Sequence, residues 1–382
     1  MDNIAKEGDE IGMGIAAPVD PAERSVGGPS NLGHQPIRVA KEALQAFTTA
    51  FFVKMGLNTE EAQGAAEILV TSDLRNIESH GVARLDMYRR MFVQKVAQPQ
   101  AVFEIKRETG ATALVDGGGG LGLVVARRAM ELAIQKAKAT GLGFVTVTNS
   151  SHFGIAGFYP DMALAHDMIG LAMTNATPQL VPTNGRAAAL GTNPIAFAAP
   201  AKEEFPFLLD MATTAVAFGK IEIAARLEKA IPLGWGLDGQ GQPTTDPLVT
   251  FEALALNPLG STAEMSSHKG YGLAAMVDIL CGVLSGMGHS LKVPRSRAGH
   301  FFGAIQIEAF RDLEEFKLEM DEMIRDLKAI PPLQEGGRVY VAGEKEYLAQ
   351  AENLRLGIPL HPKIIYRMAQ LSQELDIPPL AN

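Results

Sequence analysis

The stretch LVDGGGGLGLVV, Leu114 to Val125, decides how the middle of this chain folds. Gly117, Gly119 and Gly122 satisfy G-x-G-x-x-G, the residues ATALVD lead into them as a strand, and the residues that follow read as a helix. This is the local setting of a turn that cradles a dinucleotide pyrophosphate. A Rossmann reading makes a second demand, an acidic residue at the end of the next strand, about 20 residues on, to hold the adenosine ribose. That strand, GFVTVT, runs instead into Asn149, Ser150, Ser151 and His152. The other reading is a tight strand-to-helix turn that needs glycine for steric reasons alone.

Outward from this turn, ATALVD, the helix LGLVVARRAMELAIQKAKAT, GFVTVTN, a helix over GFYPDMALAHDM and IGLAMTN form a β-α-β-α-β series. Such a series predicts parallel strands, and NPIAFAAP and FPFLLDMA extend the sheet. Upstream, Leu44, Phe47 and Phe51 recur at helical spacing towards Met55, and Gly56 supplies the stop. Asn58 with Glu61 three residues on caps a second helix, and ESHGVARLDMYRRMF reads as a further one. Beyond Arg311 the chain turns helical and charged, in DLEEFKLEMDEMIRDLKAI and PKIIYRMAQLSQELDI. The expected organisation is a tail over residues 1–35, mobile or docked on a partner subunit, then a helical region over 36–100 that packs with 311–382. Between these flanks lies an α/β domain over 101–310.

Composition narrows the function classes. With 34 basic and 43 acidic residues the net charge is −9, which gives no general attraction for nucleic acid or an anionic membrane. A small anionic substrate would need a local cluster of positive groups. Cys281 is the only cysteine, so no intrachain disulfide and no CxxC site exist, in keeping with a reducing, cytoplasmic setting. The most apolar helix, GLAAMVDILCGVLSG, is interrupted by Asp278 and falls short of the roughly 20 apolar residues a bilayer requires. The first 35 residues have no lysine- or arginine-led apolar core of the signal-peptide kind.

Four patches hold the groups that could do chemistry. In ESHGVARLDMY, His80, Arg84 and Tyr88 recur every four residues, so on a continuous helix they share one face. There they could move a proton and grip a carboxylate with the planar guanidinium, unless Arg84 simply pairs with Glu78 or Asp86. NSSHFGIAG sets His152 at the carboxyl end of a strand, the edge where open α/β sheets bind ligands, although a capping or packing histidine would also fit. Asp210 ends the apolar strand FLLDM and must find a partner, either a catalytic histidine or the helix start near Thr213. Ser267, His268 and Lys269 precede a helix and offer N–H groups and a lysine to a pyrophosphate, or else form an ordinary cap. His34, His166, His289, His300 and His361 sit in no such cluster and read as structural or exposed. No HExxH and no GxSxG appears.

Taken in order, SHGVARL, NSSHFGIAGFY, LGTNPIAFAAP, LLDMATT, GWGLDGQGQPTTDP, NPLG and SHKGYGLAAMVDILCGVLSG resemble the malate/L-lactate dehydrogenase family of the second type, over about Ile37 to Asp376. The resemblance implies an oxidoreductase using NAD or NADP. Its fold would be α/β, with a non-Rossmann, mixed-sheet cofactor domain beside a helical domain built from the N- and C-terminal regions. GGGGLG then becomes a packing turn. The cofactor is expected against His152, Phe153 and Gly154, against Thr174 and Asn175, against Asp210, Met211 and Ala212, and against His268, Lys269 and Gly270. Arg84 is expected to bind the substrate carboxylate, with Ser79 and Tyr88 beside it. For the proton carrier the resemblance offers two choices. One branch implies His152; the other implies His80 paired with Asp210. A homodimer with its active site near the subunit interface is also implied.

The default substrate by resemblance is a small 2-hydroxy acid of the malate or lactate type. The alternatives are a cyclic imine reductase acting on piperideine- or pyrroline-2-carboxylate, and a non-catalytic nucleotide-binding protein on the same scaffold. Three departures leave NAD against NADP open: the long N-terminal extension, Ala176 in place of a common serine, and AVAFGK where members often carry an arginine before the GK.

Overall fold

A computed structural model describes residues 35–381. Most of the expected tail, and His34, lie outside the described residues. In chain order the elements begin with β1 (Ile37–Val39), α1 (Lys41–Lys54), α2 (Thr59–Leu74) and α3 (Leu85–Val93). Next come β2 (Glu104–Glu108), β3 (Thr112–Asp116), α4 (Gly122–Thr140), β4 (Leu142–Ser151), α5 (Phe158–Leu164), β5 (Met168–Thr174), β6 (Ile195–Ala199) and β7 (Phe207–Met211). A smaller lobe holds α6 (Phe218–Arg226), β8 (Gly236–Leu237), β9 (Pro243–Thr244) and α7 (Pro247–Ala253). The chain continues through α8 (Ser267–Asp278), β10 (Arg297–Gln306), α9 (Leu313–Ala329), α10 (Glu344–Leu356), β11 (Ile358–Leu360) and α11 (Pro362–Leu375). None of the described helices is long and apolar enough to cross a membrane.

The central sheet has seven strands in the order β2-β3-β4-β10-β5-β6-β7, and it is mixed. Only β3 and β4 pair in parallel. The run of neighbouring parallel strands expected from the β-α-β-α-β series is therefore corrected: β10 enters between β4 and β5, antiparallel to both. Strands β4 and β5 still point the same way, as a crossover through α5 requires, but they do not touch. Residues 297–306 give a weak strand signal because the strand is built to be approached closely. A Cβ at Gly299 would overlap the Cys281 carbonyl, and one at Gly303 would come within 2.8 Å of the Phe144 ring.

The opening turn is a packing turn. Gly118 and Gly119 take φ of +63° and +72°, open to glycine at little cost. All five of its glycine N–H groups are used inside the protein. Gly117 donates to Thr148 O, Gly119 to Asn149 O and Gly120 to Gly117 O. Gly118 donates to Asp116 Oδ1, and Gly122 to Ser151 Oγ. No glycine N–H is left for a phosphate. The close approach runs the other way, since a Cβ at Gly122 would overlap the Ser151 carbonyl, so this glycine lets α4 begin directly against the end of β4.

Leu123, Ala126, Met130, Ala133 and Ala137 of α4 are buried on the sheet and join one core with Phe51, Phe52, Ile68 and Leu69 of α1 and α2. The terminal stretches meet beside it. Ile37 of β1 pairs with Leu360 of β11, and Asn353 of α10 donates to the Leu74 carbonyl at 2.9 Å. Asn58 caps α2 by accepting from Glu61 N, as the sequence reads.

Residues 78–93 differ from the single helix that the spacing predicts. Glu78–His80 and Val82–Arg84 are separate 3-10 turns, and α3 starts only at Leu85. The break has a cause beneath it. Asp73 on α2 is buried, its Oδ2 accepts from Val82 N at 2.8 Å, and a Cβ at Gly81 would overlap its carboxyl group. His80, Arg84 and Tyr88 thus do not share a helix face.

Candidate active site

The three residues nevertheless converge, and His152 joins them. Tyr88, fully buried on α3, places its hydroxyl 2.8 Å from His152 Nδ1. Gly154 N also approaches that nitrogen, at 3.3 Å. A backbone N–H can only donate, so Nδ1 is an acceptor, the phenol donates to it, and neutral His152 carries its proton on Nε2. The His80 ring stacks on His152 with centroids 5.6 Å apart and planes 15° apart. Its Nδ1 lies 2.8 Å from Ser79 Oγ, a hydroxyl that can serve as donor or acceptor.

Arg84 closes the group. Its Nε donates to the Ser79 carbonyl at 2.5 Å, and its Nη2 pairs with Glu222 of α6 at 2.5 Å. Neither Glu78 nor Asp86 takes it, as the spacing would have allowed; Glu78 faces Arg226 and Asp86 pairs with Arg367. A cavity of about 360 Å³ opens beside it, lined by Ser79, Arg84, Glu222, Arg226 and Phe251 among others. Burial, each other's presence and the nearby guanidinium all disfavour imidazolium here. His80 is held well below the ordinary histidine value, chiefly by burial, then by His152 and Arg84. His152 is lowered to about 4, by burial first and Arg84 second. At neutral pH the site holds two neutral imidazoles and one cation.

Asp210 lies apart from this group. Its Oδ2 accepts from Gly157 N at 2.7 Å, so its partner is that backbone N–H, and the helix beyond it starts only at Phe218. It lines a second cavity, of about 300 Å³, with Arg75, Leu209 and Gly343. Solvent reaches the side chain through this opening, yet the surrounding protein raises its pKa to about 6 against the lowering pull of the Gly157 N–H and Arg75. Arg75 is bound by Asp161 at 2.6 Å and by Gln350 at 2.9 Å, and its buried Nη1 has no hydrogen-bond partner.

The remaining sequence candidates divide. The Phe153 ring is packed between His300 and Tyr159, with centroids 4.8 and 4.9 Å away. Thr174 and Asn175 turn their side chains inward: Thr174 Oγ1 meets His300 Nδ1 at 2.8 Å, and Asn175 Nδ2 donates to Asp278 at 2.8 Å. Met211 and Ala212 are partly exposed at the end of β7, while His268 and Lys269 are exposed on the first turn of α8. Gly270 lets that helix touch the backbone of Leu259. His300, read as structural or exposed, is structural, completely buried and bonded to Ser150 Oγ at 2.9 Å, its pKa lowered to about 3 by burial.

Residues 39–369 match the family model described as malate/L-lactate dehydrogenase. The chain belongs to the malate/L-lactate dehydrogenase family. It is 44% identical over 347 residues to a malate dehydrogenase of Pyrococcus horikoshii, covering 89% of this chain and 96% of that one. To a malate/(S)-sulfolactate dehydrogenase of Methanothermus fervidus it is 38% identical, over 85% of this chain and 94% of the relative. The solved structure of the Pyrococcus horikoshii malate dehydrogenase superposes with a TM-score of 0.84 at 40% identity, over 92% of this chain and 99% of that one.

As a malate/L-lactate dehydrogenase family member the chain is an oxidoreductase acting on a CH–OH group, with NAD(H) or NADP(H) as its cofactor. Two residues beside this candidate site, Glu222 and Asp73, were not among the residues the sequence singled out. Glu222 stands 138 positions from Arg84, in a segment with no local sign of the contact. Asp73 did leave a trace, as an acid on the apolar face of α2 with Ile68, Leu69 and Ser72.

Proposed function

We propose that this chain interconverts a small 2-hydroxy acid, of the malate or lactate type, and its 2-oxo acid. The observation that carries this reading is the meeting of Arg84, His80 and His152 from distant stretches: the two imidazoles stack at 5.6 Å, and Arg84 is anchored to the residue before His80. Arg84 holds the substrate carboxylate, because a planar guanidinium matches it with two parallel N–H bonds. His80 carries the proton. When His80 Nε2 takes up a proton, Nδ1–H can donate to Ser79 Oγ, so no hydrogen bond is lost. Protonating His152 would instead set an N–H on Nδ1 against the Gly154 N–H. His152 therefore acts through its Nε2–H as a fixed donor towards the substrate oxygen, as a preorganised dipole should.

When bound, NAD or NADP supplies or accepts the hydride. The chain offers groups that fit it. Arg75, with its unpartnered Nη1, and Asp210 line the second cavity, and Lys269 stands on the first turn of α8. Met211 and Ala212 lead from this cavity towards Leu259, whose N donates to Thr213 O and whose backbone packs on Gly270. We assign the cofactor to this strip, in a cytoplasmic homodimer.

The test is a panel of oxaloacetate, pyruvate and piperideine-2-carboxylate with NADH and NADPH, followed at the nicotinamide absorbance for the wild type, His80→Gln and His152→Gln. Turnover of a 2-oxo acid is expected, with His80→Gln costing about 10²-fold or more in kcat. Turnover of the imine alone would overturn the reading, as would a His80→Gln enzyme of undiminished kcat.

A further inference from the structure

Arg84 holds a carboxylate of this chain itself. Its Nε edge is taken by the Ser79 carbonyl at 2.5 Å and its Nη2 by Glu222 at 2.5 Å. Glu222 sits on α6, in the lobe whose separate small core contains Val216, Ile221, Ile231 and Leu256. This helix reaches Arg84 only because of Gly219, where a Cβ would lie 2.6 Å from Ser79 Cβ and 3.1 Å from Arg84 Nη2. One turn further, Arg226 faces Glu78 at 3.9 Å, and its buried Nε has no hydrogen-bond partner. The lobe is thus clipped to the 78–84 segment by charge across a cavity, with no apolar core shared among the described residues.

We propose that Glu222 is an internal stand-in for the substrate carboxylate: ligand and Glu222 exchange on Arg84, so that Glu222 sets how tightly a 2-oxo or 2-hydroxy acid binds and loosens α6 when the acid arrives. The proposal rests on the assignment of Arg84 as the carboxylate site. A ligand carboxylate that uses both ends of the guanidinium fork needs Nη2, where Glu222 now sits. The exchange keeps Arg84 neutralised whichever carboxylate it holds. The contact therefore discriminates by charge. A ligand without a carboxylate gains nothing by displacing Glu222 and leaves the pair closed.

The test compares wild type, Glu222→Gln and Glu222→Asp for calorimetric binding of oxamate, a non-reacting isostere of a 2-oxo acid, and of neutral pyruvamide, with KM and kcat for the preferred 2-oxo acid. Both variants are expected to bind oxamate about three- to fivefold more tightly, the gain from removing one partly exposed competing pair. KM should fall by a similar factor, and pyruvamide binding should not change. Oxamate binding that is unchanged or weaker in Glu222→Gln would overturn the exchange, as would an equal gain for pyruvamide, which signals general loosening. If no 2-oxo acid is turned over but the oxamate gain is present, the dehydrogenase substrate reading fails and the exchange stands. If turnover is normal and the gain is missing, the exchange fails alone.

Discussion

Tyr88→Phe tests the role of each imidazole, because it removes one oxygen and keeps the ring. The phenyl group still packs at the edge of Phe52, whose centroid lies 5.9 Å away, so the core is disturbed little. What disappears is the donor 2.8 Å from His152 Nδ1, leaving that nitrogen only the longer 3.3 Å approach of Gly154 N. A neutral buried hydrogen bond contributes about 1 kcal/mol net, so the Nε2–H tautomer loses about fivefold of its preference. On the proposed role of His152 as a donor through Nε2–H, kcat should fall about three- to tenfold. KM for the acid should stay within about twofold, because Arg84 is untouched. Imidazole nitrogen NMR should show the second tautomer appearing, and the melting temperature should drop by less than about 4 °C. An unchanged tautomer ratio with unchanged kcat would refute the reasoning. A rise in KM that accounts for the whole loss would refute it differently, by making Tyr88 a direct substrate ligand, as the sequence alone suggested.

Other outcomes follow from the same contacts. Burial raises the Asp73 carboxyl from the usual 3.8 to about 8, against the lowering bond from Val82 N, so it stays protonated in the folded chain after its unfolded counterpart has ionised. Its contribution to stability is full below about pH 3.8 and declines as pH rises towards 8, by at most about 1.4 kcal/mol per unit. Asp73→Asn should remove that decline in urea melts at pH 5, 6.5 and 8, and curves parallel to wild type would sink the idea. Gly122→Ala sets a Cβ onto the Ser151 carbonyl and 2.5 Å from His152 O, backbone atoms that cannot step aside. It should cost about 3 kcal/mol or more and displace His152, whereas Gly239→Ala, with open space around it, should stay within about 0.5 kcal/mol. Equal melts for the two variants would show that the start of α4 is looser than described.

Much of this protein is written locally. The glycine turn, the cap at Asn58 and the flanking helices are set by neighbours a few residues apart, where φ, side-chain length and apolar spacing act directly. His80, Arg84, His152 and Asp210 stand out in the sequence as candidates, because reactive side chains are conspicuous in an apolar chain, although Asp210 lies apart from the other three. What the sequence could not decide was anything that depends on two distant segments arriving together. Strand β10 enters the sheet from a stretch weakened by glycines whose purpose is visible only once Cys281 and Phe144 lie against them. The turn at Gly81 replaces a helix because a carboxyl eight positions earlier rises into its path. Likewise, the hydroxyl against His152 Nδ1 comes from Tyr88, and the carboxylate on Arg84 comes from Glu222. Hydrogen bonds and ion pairs act over about 3 Å, so only the folded chain determines which partners are within reach.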